Sequence, residues 1–274
     1  MNLREAFTTT LNMHWAGTRS EEENWRIAQA WLADGNAKFH VTQMTGEAAA
    51  AACELWRSVD GLAPATLNRR VAVLSKALHT AHELGHLPEV PKLPRFKEPA
   101  PIDRSLTSEQ IIKLYNKVGG LGNHQGQFMG ALIQFLFNTG ARLGEAMGAA
   151  WEDMVNGRWT IRRSKNGHSR IVPLNGGAQA ALEQLVTLTG DHPMPFGSYA
   201  TTSQVQHWWA KARVWAKIPH ARLHDLRHTC ASNLVRKNVS LYTVQHLLGH
   251  RNINTTMRYA HQNTEALEEA VKLL

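Results

Sequence analysis

The chain has 274 residues, 43% of them hydrophobic, enough for one large core or two modest ones. Its 30 lysines and arginines against 22 acidic residues give a net charge of +8 and a pI near 9.7. Such a surface attracts phosphates and gains from counterion release, so nucleic acid is the first expected partner and an anionic membrane surface the second. No apolar run approaches the roughly 20 residues that span a bilayer, and Met1-Asn2-Leu3-Arg4-Glu5 lacks a signal-peptide core. The expectation is a soluble, cytoplasmic protein with no membrane partner. The two cysteines, Cys53 and Cys230, sit in apolar helical contexts and read as buried thiols under reducing conditions.

In chain order, a weak helical pattern covers Leu3 to Leu11. Ser20 and Glu23 have capping-box spacing, the stripe Ile27, Ala28, Trp31 and Leu32 follows, and Gly35 supplies a stop. A helix is predicted through Ala48 to Val59. A longer one follows Pro64, with Leu67, Val71, Leu74, Leu78 and Ala81 on one face and Gly85 at its end. These elements form a small helical bundle. Residues 88–101 carry five prolines among charged residues, which reads as a semi-rigid linker. The expected division is a bundle over 1–97, a linker over 98–105 and a second domain over 106–274.

That second domain opens with Thr107 and Gln110 placed to cap a helix reciprocally, while Leu106 and Ile111 form a hydrophobic staple. An apolar helix around Phe128 to Phe137 breaks at Thr139-Gly140. The next helix is expected to carry Arg142 and Glu145 on one face, with Gly148 inside it. Arg158 to Arg162 and Arg170 to Pro173 flank Asn166-Gly167, a hairpin signal that puts Lys165 in or beside the turn. The remainder reads as helical, with Gly249 ending one helix before His250.

Breaking a phosphodiester with a side-chain nucleophile requires cationic donors around the phosphate, a route for the nucleophile's proton and an acid for the leaving oxygen. Arg142 and Arg227 offer bidentate forks suited to non-bridging oxygens, although most of the basic residues in such a chain are solvated or lie along a phosphate backbone. His224 and Arg227 are three positions apart and share a helical face. His224 and His228, at i and i+4, also have the spacing of a helical metal pair, but no glutamate follows His224 and no third ligand is evident. Among four tyrosines, Tyr115 and Tyr242 fall on amphipathic helices where packing explains them. Tyr259 requires a base or a cationic setting to attack at neutral pH.

Thr139-Gly140-Ala141-Arg142-Leu143-Gly144-Glu145, Leu223-His224-Asp225-Leu226-Arg227-His228, Leu247-Leu248-Gly249-His250 and Thr255, Thr256, Tyr259-Ala260-His261 together resemble the catalytic signature of the tyrosine recombinases, the family of phage integrases and bacterial Xer recombinases. The resemblance spans residues 139 to 261. It implies a tyrosine nucleophile at Tyr259, phosphate clamps at Arg142 and Arg227 and a general base at His224. It further implies that His250 hydrogen-bonds the phosphate, Lys165 protonates the leaving 5′ oxygen and Glu145 supports the pocket. Thr66-Leu67-Asn68-Arg69-Arg70 makes the bundle similar to the family's SAM-like core-binding domain. Arg69, Arg70 and Lys76 are then candidates for contact with DNA phosphates or the major groove, against the competing reading of a solvated basic face. No additional basic domain precedes the bundle, which favours a Xer-like architecture.

The fold this implies is mainly α with a small β-sheet, a helical bundle plus a catalytic domain forming a clamp around double-stranded DNA. The reaction is site-specific recombination through a 3′-phosphotyrosyl intermediate, without metal or other cofactor, by a homotetramer on two duplexes, with accessory DNA-bending or directionality proteins as further partners. A type IB-like topoisomerase and a non-catalytic DNA-binding regulator on the same scaffold are the alternatives. Leu267, Ala270, Val271 and Leu274 form an apolar stripe at helical spacing, expected to dock on a neighbouring protomer.

Overall fold

The computed structural model describes the chain except residues 34, 101, 119–120, 163–168, 261–270 and 273–274, and the side chain at position 123. The chain divides into two compact units, Met1–Ala100 and Pro101–Leu274.

The first unit packs α1 (Leu3–Thr10), α2 (Glu21–Trp31), α3 (Gly46–Ser58) and α4 (Pro64–Glu83). Pro64 occupies the first turn of α4, where its missing N–H is harmless, and the predicted stripe of Leu67, Val71, Leu74, Leu78 and Ala81 is buried. Trp31 is fully buried, crosses Trp56 edge to face at 4.6 Å and donates from Nε1 to the Arg70 carbonyl. The expected Ser20 capping box does not form. Glu21 instead accepts from the Gly17 amide at 2.7 Å, and the Ser20 hydroxyl faces Asn24. The proline-rich segment, read as a semi-rigid linker, is held against the first core over part of its length. Val90, Leu93 and Phe96 pack on the first core, and the Asn68 amide bonds both the N–H and the carbonyl of Phe96 at 2.9 Å. A segment that lacks N–H donors at its prolines can still be held by its apolar residues and one side-chain amide, which carries the first unit to Ala100.

The second unit is built on α6 (Asn123–Thr139), whose apolar residues from Phe128 to Leu136 are buried among α5 (Ser108–Val118), α8 (Gly176–Thr189), α9 (Thr202–Trp215) and α10 (Leu223–Arg236). Thr107 and Gln110 cap α5 reciprocally as predicted. Phe128, Met129, Leu132, Phe135 and Leu136 are each at most 2% exposed. Each such side chain contributes about 1.5–3 kcal/mol by leaving water. This core fixes both ends of α6, and so the place of Gly140.

Gly140 ends α6 with φ +63°, and a Cβ there would lie 2.6 Å from Leu248 Cδ2. The short α7 (Leu143–Met147) follows at once. Arg142 is its N-cap, in extended conformation, and Gly148 is its C-cap, so neither lies inside a helix as the sequence pattern suggested. A three-stranded antiparallel sheet, β1 (Met154–Val155), β2 (Arg158–Ile161) and β3 (Arg170–Pro173), comes next in the order β1-β2-β3. β1 was not anticipated, yet Asn156-Gly157 announces it: both have positive φ, 51° and 69°, as a two-residue type I′ hairpin requires. Pairing of β2 with β3 runs from Arg158↔Pro173 to Ile161↔Arg170. The chain then completes the unit with α8, α9, α10, α11 (Leu241–Leu248) and α12 (Asn254–Met257).

Candidate active site

Arg227 is the hub. It lies on the first turns of α10, is 1% exposed, and donates from Nη1 to the Gly140 carbonyl and from Nη2 to the Leu248 carbonyl, both at 2.7 Å. These carbonyls stand at the C-terminal ends of α6 and α11, where helices leave acceptors unpaired and carry partial negative charge. One buried guanidinium thus ties the segment that leads into Arg142 to the segment that leads into His250. Burial brings its pKa down to about 9, helped by Arg142 and Arg170 and opposed by Glu145 and Tyr259, so it stays cationic at neutral pH.

Arg142 is held by Glu145. The Glu145 carboxylate accepts the Arg142 backbone N–H at 2.9 Å and its Nη1 at 2.8 Å, closing the start of α7. A residue not singled out by the sequence, Arg170 of β3, binds the same carboxylate through Nη1 and Nη2 at 2.9 and 2.7 Å. Burial pushes the Glu145 carboxyl up, but the bonds from Arg170 and Arg142 outweigh it and hold it at about 2. Glu145 is a permanent anion there.

Three histidines surround this cationic group. His250 follows Gly249, whose φ of +67° ends α11, and its Nδ1 meets the buried Thr256 hydroxyl at 2.9 Å. Burial lowers its pKa to about 3, with Arg227 and Arg142 adding to the effect. His224, one helical turn before Arg227's neighbour His228, is lowered to about 4, chiefly by burial and then by His228 and Arg227. His228 is lowered to about 4, chiefly by burial. All three are therefore neutral imidazoles at pH 7, available to accept a proton or a hydrogen bond.

Tyr259 is 4% exposed, and its hydroxyl lies 2.6 Å from His228 Nδ1. The sequence reading paired this tyrosine with His224; the structure places it on His228, whose ring crosses that of His224 edge to face at 4.9 Å. Burial raises the phenol pKa, and Arg227 and Arg258 pull it part of the way back. The other tyrosines lie elsewhere. Tyr199 stacks on Phe128, the ring of Tyr115 lies against Gly130, and Tyr242 meets His246 edge to face at 4.3 Å.

Arg142, Glu145, His224, Arg227, His250 and Tyr259 thus come together, with Arg170 and His228 added. Lys165, with its Asn166-Gly167 turn, lies outside the described residues, as does the C-terminal stripe apart from Val271. In the first unit, Arg69 donates to Asn24 at 2.6 Å, Arg70 stacks over Trp56 at 4.3 Å, and Lys76 is half-buried on α4. Arg26, Arg69 and Arg70 line one groove together with Glu23, Ile27 and Leu62. Among the described residues no group of three or more His, Cys, Asp or Glu side chains gathers to hold a metal, and no helix is long and apolar enough to cross a membrane.

A cationic pocket with a phenol and neutral imidazoles, whose carboxylates Glu145 and Asp225 are each paired with arginine, suits an anionic ester. The comparisons agree. The sequence model of the phage integrase family matches residues 104–266, more than half of the chain. Tyrosine recombinase XerD of Brucella abortus is 27% identical over 238 residues, covering 78% of this chain and 77% of its own. Two solved structures share the fold: the Tn1549 transposon integrase in complex with a circular intermediate DNA (TM-score 0.80, 17% identity, all of both chains) and a lambda integrase tetramer bound to a Holliday junction (TM-score 0.77, 18% identity, 94% of this chain and 76% of that one). The chain belongs to the phage integrase family and is a site-specific DNA recombinase of the tyrosine type.

Proposed function

We propose that Tyr259 attacks the scissile phosphate of a DNA strand while Arg142 and Arg227 neutralise its non-bridging oxygens and His250 hydrogen-bonds one of them. A bond forms between the phenol oxygen and phosphorus as the bond to the 5′ oxygen breaks, leaving a 3′-phosphotyrosine and a 5′ hydroxyl. The phenol proton goes to neutral His224, the general base. His228 docks the phenol in the resting state. Lys165 gives a proton to the leaving 5′ oxygen. Attack by the 5′ hydroxyl of a partner strand reverses these transfers, and the phosphodiester energy is conserved in the intermediate, so no external energy source enters.

The observation that carries this reading is the Arg227 fork on the Gly140 and Leu248 carbonyls. It joins the Arg142 and His250 segments around one fixed positive charge and places that charge beside the only tyrosine among the described residues that contacts a histidine at hydrogen-bond distance. Fixed donors of this kind act with little reorganisation when charge develops.

Two units grip the duplex in this account, the first through Arg69, Arg70 and Lys76 as core-binding domain and the second as catalytic domain, and four protomers bring two duplexes together. The likeness to integrase complexes with DNA, one of them tetrameric, supports this arrangement. Two duplexes with distinguishable labels provide the test. Recombination yields molecules joining label from both; a topoisomerase reseals each duplex with its own label, and that result would replace the reading. Lys165→Ala should slow cleavage by about 10²–10⁴, the range for a lost general acid, and a bridging 5′ sulfur should restore the rate because a thiolate leaves without a proton. Equal defects on both substrates would move the role elsewhere.

A further inference from the structure

β3 is arranged against the usual polarity of a half-buried strand. Ile171 points outward at 57% exposure, while the side chain of Arg170 is turned inward at 9%. Burying a guanidinium in place of an isoleucine is unfavourable unless its donors are met by acceptors. They are met with a defined geometry. Nη1 and Nη2 form a two-pronged pair with the Glu145 carboxylate, and Nε donates to the Leu247 carbonyl at 3.0 Å. The next turn of backbone runs directly past the same side chain: a Cβ on Gly249 would sit 2.9 Å from Arg170 Cδ and 3.0 Å from Nη1.

Glu145 therefore has its fork-to-fork pair with Arg170 and takes Arg142 by one prong only. Were Arg170 absent, only the Arg142 backbone N–H would hold the second oxygen, and the carboxylate could trade that bond for a two-pronged pair with the Arg142 guanidinium, the stronger arrangement, drawing it away from an incoming phosphate. We infer that Arg170 is a positioning residue for the recombination reaction: by occupying Glu145 it leaves Arg142 aimed at the phosphate, and through Leu247 it fixes the turn that presents His250. It acts through those residues. The inference rests on the reading that Arg142 meets the scissile phosphate.

The test uses the full chain and a nicked duplex carrying the site that the wild-type protein selects from random-sequence DNA. One version has the natural scissile phosphate and one a neutral methylphosphonate, which has no charge for Arg142 to neutralise. The readout is the ratio of cleavage rates on the two substrates within each variant, a quantity that does not depend on how much of the variant is folded. Arg170→Lys, which keeps the charge and stem but not the fork, and Arg170→Ala should each cleave the phosphate about 10²-fold more slowly, the loss expected for a misplaced catalytic group. Their phosphate-to-methylphosphonate ratio should fall together with that of Arg142→Ala, and adding Arg170→Ala to Arg142→Ala should lower that ratio less than Arg170→Ala lowers it in the wild type. Equal defects on both substrates, or no defect, would overturn the role of Arg170. If Arg142→Ala itself cleaves the phosphate at the wild-type rate, it is the assignment of Arg142 that fails.

Discussion

Replacing Arg227 by lysine keeps the charge and tests the geometry. The guanidinium reaches two carbonyls at once, Gly140 and Leu248, each at 2.7 Å, from a position 1% exposed. A single ammonium on an unbranched stem cannot serve both, since its donors radiate from one atom. One carbonyl loses a charge-assisted bond and remains buried, which together should destabilise the second unit by about 2–4 kcal/mol. For a unit of this size that corresponds to a melting temperature lower by about 4–16 °C. Because the lost bond also holds an active-site segment, cleavage should fall by about 10²–10³, as for removal of one preorganised donor. Thermal melting at pH 7.5 gives the first quantity, and single-turnover cleavage below the variant's transition gives the second. A lysine variant that melts with the wild type and cleaves normally would show that the two carbonyl bonds do not hold the site.

His228 and His250 sit at about 4 and 3 in the folded chain, below the value near 6.5 of an unfolded histidine, so between those limits the unfolded state binds more protons. Their contribution to stability is full above pH 6.5 and is lost as the pH falls toward 4, on the order of 2 kcal/mol for each ring; a urea midpoint unchanged between pH 7.5 and 4.5 would contradict this. With His224 as general base, His224→Gln should slow cleavage by about 10²–10⁴ and remove the acid limb of the pH–rate profile, whereas His228→Asn, which keeps a polar group beside the phenol, should retain that limb. The reverse pattern would transfer the base to His228. Gly140→Ala forces a side chain into φ +63° and to within 2.6 Å of Leu248 Cδ2, so it should lower stability by about 2–3 kcal/mol, read from chemical denaturation; a neutral effect would mean that α11 yields there.

How much of this was readable beforehand follows from how far apart the partners lie in the chain. Arg142, Glu145, His224, Arg227, His250 and Tyr259 stand in short contiguous motifs, and helices of both units announce themselves by apolar spacing, by Pro64 and Thr107 at their starts and by Gly85, Gly140 and Gly249 at their ends. Arg170 is 25 residues from Glu145 and looks like any basic residue at the start of a strand. Only the inverted order of Arg170 and Ile171, basic inward and apolar outward, carries a trace of its role, and that needs the buried face of the strand to be known first. The His228 contact spans 31 residues, and two histidines one helical turn apart are equally placed until the position of Tyr259 decides between them. The start of α7 was misread because an extended N-cap and a helical residue look alike when an acid follows three positions later. That the proline-rich segment is held on the first core is not legible in its composition, which records what it cannot form, not what Asn68 and that core can bind.

The most direct test of the central claim is the identity of the residue joined to DNA. The full chain is incubated with a nicked duplex whose cleaved fragment diffuses away, the covalent adduct is digested with protease, and the peptide that retains a nucleotide is sequenced by mass spectrometry. The account predicts a 3′-linked nucleotide on Tyr259, with Tyr259→Phe still occupying the site but forming no adduct. A nucleotide on another residue, or an adduct formed by the phenylalanine variant, would contradict it.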